Sequence, residues 1–133
     1  MGYRSEVVLA VDSNVAPAFM ALTAKHPGVL QLCNEADTFE SGYESEGDWF
    51  MHWSHIKWYE SYEDIAIIKR FVDALESEDL SEYGIEEHPT DEKDRPMDWA
   101  ECFRFIRLGE DLDDVQIAGC GFWNIGIHRE ISF

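Results

Sequence analysis

Basic side chains are scarce in this chain of 133 residues. Ten lysines and arginines stand against 28 aspartates and glutamates, which leaves a formal net charge of −18. The basic residues form no run or stripe, so direct binding of nucleic acid is not predicted. A surface this negative repels nucleic acid and anionic lipid and attracts partners with a basic surface. The same charge also suits a merely well-solvated acidic protein, and composition leaves both interpretations open.

Cysteines and long apolar runs are also few. The three cysteines, Cys33, Cys102 and Cys120, are widely spaced and include no Cys-x-x-Cys pair. This usage is typical of a reduced, intracellular protein. No apolar run approaches the roughly 20 residues of a membrane span. Residues 1–20 lack a basic region followed by a hydrophobic core, which a secretion signal would have. We therefore expect a cytoplasmic protein with no membrane partner.

Familiar catalytic signatures are missing too. The chain has no Walker loop, no dinucleotide glycine fingerprint and no Gly-x-Ser-x-Gly. His52 and His55 could ligate one metal only if a bulge placed both on one face of their strand. As nucleophiles, Cys102 and Cys120 would need a histidine such as His128 close by, and we interpret both as buried small hydrophobes. The sequence thus predicts no enzyme, no metal site and no cofactor.

The most informative stretch is residues 49–76, an aromatic strand followed by a helix. Apolar residues occupy odd positions from Trp49 to Trp53 and even positions at Ile56 and Trp58. Because neighbouring strand residues point to opposite faces, this change of phase predicts a bulge at 54–55, or a strand covered on both faces.

The helix after this strand is predicted from its start signal and its periodicity. Ser61 and Asp64 have the spacing of a capping box, so the helix should begin at about Tyr62. An apolar stripe at three- and four-residue steps should then cover a sheet face. The residues of the stripe are Ile65, Ile68, Phe71, Val72 and Leu75.

The remaining elements are predicted from apolar patterns and breakers. In the first helix, Val15, Phe19 and Leu22 should point inward, with caps from Asp12 to Asn14 and Pro17 in the first turn. The predicted elements are a strand over 5–11, a helix over 15–25, a short strand over 29–33, strand character over 97–108 and a turn over 109–114. Within 97–108, Phe103 and Phe105 should lie on one face and Ile106 and Leu108 on the other.

Beyond that turn, apolar residues fall on odd positions, which predicts one or two long strands with a buried face. Glycines at 119, 121 and 126 interrupt the pattern and predict a bend, bulge or turn. The apolar residues are Val115, Ile117, Trp123, Ile125, Ile127, Ile131 and Phe133.

This order of elements predicts a single α+β domain over residues 1–133. The fold class is a mainly antiparallel sheet with two helices packed on one face, ferredoxin-like or related. A parallel doubly wound sheet is disfavoured because the last strands follow one another without a helix between them.

Two acidic connections lie between these elements. Residues 34–48 hold six carboxylates and no lysine or arginine, and should form a loop or hairpin tip pinned by Phe39 and Tyr43. Residues 76–95 hold nine carboxylates against two basic residues. With Tyr83 and Ile85 as its main apolar anchors, we expect this second segment to be mobile or loosely packed.

Three short blocks also resemble a known family. The start MGYRSEV, the block IKWYESYEDI at 56–65 and the block FRFIRLGEDLDD at 103–114 resemble a family of small phage and prophage proteins of unknown function. The resemblance implies a phage origin and an α+β fold, and it supplies no catalytic residues. The two acidic connections are not part of its pattern.

We therefore expect a phage-encoded acidic accessory protein that binds and inhibits or modulates a host protein with a basic surface, by mimicking the charge of nucleic acid. One alternative is a scaffold or homo-oligomer that pairs an exposed edge strand. Another is a small hydrolase that uses carboxylates and a metal. The candidate partner-binding residues are Glu40, Glu44, Glu46, Asp48, Glu86, Glu87, Asp91, Glu92, Glu110, Asp111, Asp113 and Asp114.

Overall fold

A computed structural model of the chain describes residues 3–111, 113–128 and 130–132, and for 127, 128 and 130–132 it describes the backbone alone. Within this part of the chain, five strands form one antiparallel sheet, three α-helices cover one of its faces, and two short strands form a separate hairpin. The strands are β1 (Ser5–Val11), β2 (Thr38–Ser41), β3 (Trp49–Ile56), β4 (Phe103–Leu108), β5 (Val115–Ala118), β6 (Gly126–His128) and β7 (Glu130–Ser132), and the helices are α1 (Ala16–Lys25), α2 (Pro27–Asn34) and α3 (Glu63–Glu76).

The topology is that of a ferredoxin-like fold with one added strand. The sheet order is β2-β3-β1-β4-β5, and every neighbouring pair is antiparallel. Helices α1 and α2 connect β1 to β2, and α3 connects β3 to β4, which is the split β-α-β arrangement. The predicted α+β class with a mainly antiparallel sheet is confirmed, with three helices in place of two.

The short strand predicted over 29–33 is wrong, because this segment is part of α2. Pro27 occupies the first turn of that helix, where a missing N–H is tolerated. Val29 and Cys33 lie four residues apart on the same helix face and are both completely buried. A short apolar run fits a strand and a buried helix equally well, so the sequence pattern was ambiguous here.

The bulge predicted at 54–55 is present in β3. Trp53 pairs with Val7, and Ile56 pairs with Ser5. Three steps along β3 therefore match two along β1, so β3 carries one extra residue. The extra residue reverses the phase of the strand, and the apolar positions on both sides of it pack into the core that faces the helices.

Helix α3 begins at Glu63, one residue later than predicted, so the predicted capping box is wrong. Tyr62 is the N-cap residue and makes no side-chain capping bond, which leaves Ser61 outside the helix. Glu63 and Asp64 lie in the first turn, where they suit the positive end of the helix dipole. The predicted apolar stripe is confirmed, since all of its members are buried: Ile65, Ile68, Phe71, Val72 and Leu75.

Helix α1 forms as predicted, and the turn before it is closed by Asp12. The carboxylate of Asp12 accepts hydrogen bonds from the backbone N–H groups of Asn14 (2.8 Å) and Val15 (3.2 Å). Val15, Phe19 and Leu22 are buried, with the ring of Phe19 5.9 Å from that of Phe71 in α3. Each such fully buried side chain contributes roughly 1.5–3 kcal/mol.

The segment predicted as strand over 97–108 forms β4 only from Phe103 onward. Residues 99–102 form a 3₁₀ turn that begins at Asp98, whose backbone N–H donates to the Glu101 carboxylate at 2.9 Å. Glu78 accepts the N–H groups of Trp99 and the residue after it. Capping by side chains therefore replaces strand pairing in this part. Within β4 the predicted faces are confirmed, because alternate residues join two different apolar clusters.

The second face of the sheet is covered by loops. Val8 and Phe50 lie on it, Tyr43 stacks on Phe50 with ring centroids 4.3 Å apart, and Phe122 and Ile125 complete the cluster. Two connections, one before β3 and one after β5, therefore bury this face in place of helices.

The long strands predicted after residue 114 are wrong. The chain bends after β5, because Gly119 has φ +78° and a Cβ there would lie 2.2 Å from the carbonyl oxygen of Phe103. Val115 and Ile117 on this edge strand are exposed, and Trp123 is 81% exposed. Of the predicted buried face, Ile125 is buried. Phe133 and the side chains of Ile127 and Ile131 lie outside the described residues.

Candidate functional site

The two ends of the sheet carry different acidic connections. We call "acidic end" the end formed by the connections 42–48 and 77–98, where β1 finishes and β3 and β4 begin. The "opposite end" is formed by residues 3–4 and the connections 35–37, 57–62 and 109–114. The candidate residues of the 109–114 turn are therefore separated by the length of the sheet from those of the other two acidic segments.

At the acidic end, the turn before α1 brings the two connections together. A Cβ on Gly47 would lie 3.0 Å from the Cβ of Ser13. Ser13 and Asn14 also line an open cavity of about 590 Å³ with Asp91 and Arg95. Both acidic connections therefore lie beside the same short turn. The sequence marked residues 12–14 only as helix caps, and nothing in their pattern indicated this second role.

The first connection is organised around Asp48. This residue was predicted to contact a partner, but its side chain points into the protein. Asp48 is completely buried. Its carboxylate accepts backbone N–H groups from Tyr43 at 2.8 Å and from Glu44 and Ser45 at 2.9 Å each. The prediction for Asp48 is wrong, because its oxygens hold the loop in shape and have no access to a partner.

The other candidates of the predicted acidic segment 34–48 face solvent; Glu44 and Glu46 lie in the 42–48 connection, and Glu40 lies in β2 just before it. Glu40, Glu44 and Glu46 are all exposed. None of them lies within 4.0 Å of a basic group in the part of the chain that the structure describes. Their carboxylates are therefore available for contact with another molecule.

The second connection is better anchored than predicted. Its deepest anchor is Leu80, which is 1% exposed, whereas the predicted anchors Tyr83 and Ile85 are only partly buried. The ring of Tyr83 packs edge-on against Phe71, with centroids 5.1 Å apart. Burial raises the pKa of the Tyr83 hydroxyl. This start of the segment is packed on the core, contrary to the expectation of loose packing.

Asp91 in the same connection is also occupied internally. Its carboxylate accepts the backbone N–H groups of Lys93 (2.8 Å) and Arg95 (3.0 Å) and the side-chain Nε of Arg95 (2.8 Å). The hydrogen bond from the Arg95 backbone is the largest cause that lowers the pKa of Asp91. Both oxygens of Asp91 therefore help to close the loop, and its role as a partner contact stays a prediction.

The exposed candidates of this connection are Glu86, Glu87 and Glu92. Glu86 lies beside a small cavity that Trp99 and His88 also line. Over the described residues, none of the three glutamates forms an ion pair. They resemble the exposed glutamates of the first connection in this respect.

At the opposite end, Asp114 closes the β4–β5 turn. Its oxygens accept both Arg107 guanidinium nitrogens, at 2.6 and 3.1 Å, and the hydroxyl of Tyr3 at 2.7 Å. The Arg107 and Tyr3 hydrogen bonds lower the pKa of Asp114 to about 2. Glu110 accepts the backbone N–H of Arg4 at 2.8 Å. Both carboxylates therefore tie the start of the chain to this turn, and their role as partner contacts stays a prediction.

The other two candidates of this turn, Asp111 and Asp113, have exposed side chains. The backbone N–H of Asp111 donates to the Tyr3 hydroxyl at 3.1 Å, while the side chains of Asp111 and Asp113 are exposed. They remain accessible, at the end of the sheet far from the acidic end.

Among the described residues, no group of three or more histidine, cysteine, aspartate or glutamate side chains is arranged so that it could hold a metal ion. His52 is buried in the sheet with its Nε2 2.8 Å from the carboxylate of Glu6, whereas His55 at the bulge is exposed. The two histidines thus occupy different environments.

The cysteines divide in a way that the sequence did not indicate. Cys33 and Cys102 are buried, and burial raises the pKa of both thiols, that of Cys33 to about 12. Cys120 is exposed, so its predicted burial is wrong. It lies in the bend that follows β5 and is therefore not part of an alternating strand. The side chain of His128 lies outside the described residues.

None of the helices in the described part of the chain has the length and apolar character needed to cross a bilayer. Comparison of the chain with protein-family models, with curated proteins and with solved structures finds no match. The acidic end is therefore interpreted from its own residues.

Proposed function

We propose that this chain is a phage-encoded accessory protein that binds a host protein and inhibits or modulates it. In this proposal the acidic end docks on a basic surface, such as a channel that normally holds nucleic acid. The observation that supports this proposal best is the position of the exposed carboxylates. Those of both acidic connections lie at one end of the sheet and have no basic partner among the described residues. The docking residues are Glu40, Glu44, Glu46, Glu86, Glu87 and Glu92.

The separation of the two ends explains why one end alone should recognise the partner. Exposed charges are screened over about 8 Å at physiological salt. Strand β4 has six residues, so at roughly 3.3 Å per residue it spans nearly 20 Å. The exposed carboxylates of the opposite end, Asp111 and Asp113, are therefore too far away to contribute much to a partner held at the acidic end.

The phage origin rests on the three sequence blocks that resemble phage and prophage proteins. The proposed mimicry of nucleic acid rests on charge. Duplex DNA carries one negative charge per roughly 1.7 Å of axis, so a compact array of carboxylates can present a similar charge density to a basic channel. Such a contact is expected to depend steeply on salt.

The test is capture of the partner from a lysate of the bacterial host, with the protein immobilised. The variant Glu44→Lys, Glu46→Lys, Glu86→Lys, Glu87→Lys should lose the protein that wild type captures in stoichiometric amount, and added duplex DNA should compete with wild type for it. Each substituted side chain is exposed, so the fold should survive, which circular dichroism will check.

A matched control reverses the same number of exposed charges at the opposite end, with Glu35→Lys, Glu60→Lys, Asp111→Lys and Asp113→Lys. Both variants carry the same net charge. If the two variants lost the partner equally, or if neither did, the acidic end would not be the docking site and the proposal would fail.

A second candidate function is self-association through strand β5. This strand is an edge of the sheet, and its exposed side chains Val115 and Ile117 are apolar. Exposed apolar edge strands favour pairing with another chain. Light scattering should then show a concentration-dependent oligomer that Ile117→Lys disrupts, and a monomer at all concentrations would exclude this candidate.

A further inference from the structure

A groove of about 520 Å³ lies on the helical layer, between α1, α3 and the residues that follow α3. Its apolar lining comes from Ala18, Ala21 and Leu22 of α1 and from Ile67 of α3, with Tyr83 beside them. Two of its lining residues, Glu82 and Tyr83, come from the 77–98 connection, but it includes none of the candidate partner-binding residues. The groove therefore requires its own explanation.

Small side chains and a well-packed tyrosine give the groove its shape. Ala18 and Ala21 leave open the space that larger residues would fill between the helices. Of the lining residues, Tyr83 is held in place by Phe71, with ring centroids 5.1 Å apart, and Phe71 in turn lies 5.9 Å from the ring of Phe19 in α1. A volume of this size lies within the roughly 300–1,000 Å³ typical of sites for small organic molecules.

The rim of the groove is locally basic in a chain of net charge −18. Lys25 and His26 lie on the rim with Arg70 and a single carboxylate, Glu82. Glu82 forms an ion pair with Arg70, whereas Lys25 lies within 4.0 Å of no carboxylate in the described residues. An apolar groove with an available ammonium at its rim is complementary to an apolar molecule that carries one negative charge.

We propose that this groove binds a small organic anion with an aromatic or aliphatic body. The body lies against the alanines of α1 and Ile67, and the anionic group meets the ammonium of Lys25. The inference does not depend on the proposed docking, because it uses none of the docking residues and its ligand is opposite in charge to a basic partner.

The experiment uses the dye 8-anilinonaphthalene-1-sulfonate, an aromatic anion, and its uncharged analogue N-phenyl-1-naphthylamine. Both should bind saturably with one site per chain, as measured by fluorescence. Ala21→Leu fills the groove with a good helix-forming residue at an exposed position, and should abolish saturable binding of both dyes.

Charge is tested separately from shape. Lys25→Gln should weaken the sulfonate dye about fivefold, the upper range for an exposed ion pair, and leave the neutral dye unchanged. Lys57→Gln removes a lysine outside the groove and should change neither dye. The proposal is overturned if Ala21→Leu, shown to be folded by circular dichroism, still binds either dye, or if Lys25→Gln behaves like Lys57→Gln. Dye binding that Ala21→Leu retained would show that the dye binds at another site, for example at the exposed Trp123.

Discussion

The two ends of the sheet are both rich in carboxylates, but they use them differently. At the opposite end, Asp114 is held by Arg107 and Tyr3, and Glu110 by the backbone of Arg4. These bonds fasten the start of the chain to the β4–β5 turn. At the acidic end, a buried Asp48 shapes the first loop while the glutamates around it face solvent.

This difference shows that the number of acidic residues in a segment does not reveal their role, because some stabilise the fold and others are free to contact a partner. A carboxylate that accepts several backbone or guanidinium donors contributes to stability, and its removal leaves those donors unsatisfied. An exposed carboxylate without a partner contributes little to stability and adds to repulsion within the chain. Substitutions of each kind should therefore give opposite results, and the predictions that follow test this division.

The largest effect is expected from Asp48→Ala. The substitution removes a completely buried carboxylate and leaves three part-buried backbone N–H groups of the 42–48 loop without their acceptor. At about 1 kcal/mol for each lost hydrogen bond, the free energy of unfolding should fall by about 2–3 kcal/mol. Urea denaturation followed by tryptophan fluorescence measures this fall. A loss below about 0.5 kcal/mol would mean that the loop does not depend on Asp48.

A smaller effect, with a distinct pH dependence, is expected from Asp114→Asn at the opposite end. Folding lowers the pKa of Asp114 to about 2, below its ordinary value of 3.8. The stability that this carboxylate supplies is therefore complete above about pH 4 and is lost as the pH falls toward 2. At pH 7 the variant should melt roughly 2–5 °C below wild type.

The melting temperatures of wild type and Asp114→Asn should converge as the pH is lowered from 5 to 2, because wild type then loses the charge that the variant lacks. Tyr3→Phe removes one of the two donors to this carboxylate and should shift the melting temperature less. A difference between wild type and Asp114→Asn that stayed constant over this pH range would contradict the role given to the Asp114 charge.

The smallest effect on stability is expected from the exposed glutamates of the acidic end. Glu46→Gln and Glu87→Gln should change the free energy of unfolding by less than about 0.5 kcal/mol. The sign should be neutral or stabilising, since each substitution relieves repulsion in a chain of net charge −18. The same urea titration measures both variants. A clear destabilisation would show that these side chains have a structural role that we have missed.

Much of the fold could be predicted from the sequence because apolar periodicity reports burial directly. The stripe of α3 and the alternation in β4 depend only on which side chains avoid water, and both were predicted correctly. The bulge in β3 was predictable for the same reason, since the phase of the aromatic residues changes at residues 54–55. Helix α2 could not be recognised, because a run as short as 29–33 carries too few apolar positions to separate a helix from a strand.

The C-terminal part and the candidate site depend on tertiary contacts that periodicity does not encode. Gly119 turns the chain where the backbone of Phe103 comes close, and this contact joins residues that are distant in sequence. Asp48 and Glu46 look equivalent in the sequence, yet one is buried and the other exposed. Only the folded loop shows which carboxylate meets the backbone N–H groups, so the site could be predicted as a region but not residue by residue.

The most direct test of the account is the salt dependence of binding to the captured partner, once that partner is purified. Calorimetric titrations over about 50 to 500 mM NaCl would compare wild type with the two charge-reversal variants, one for each end of the sheet. We predict a steep decline of affinity with salt for wild type and for the opposite-end variant, and weak binding at every salt concentration for the acidic-end variant. Equal affinities and equal salt slopes for all three proteins would contradict the claim that the acidic end recognises the partner.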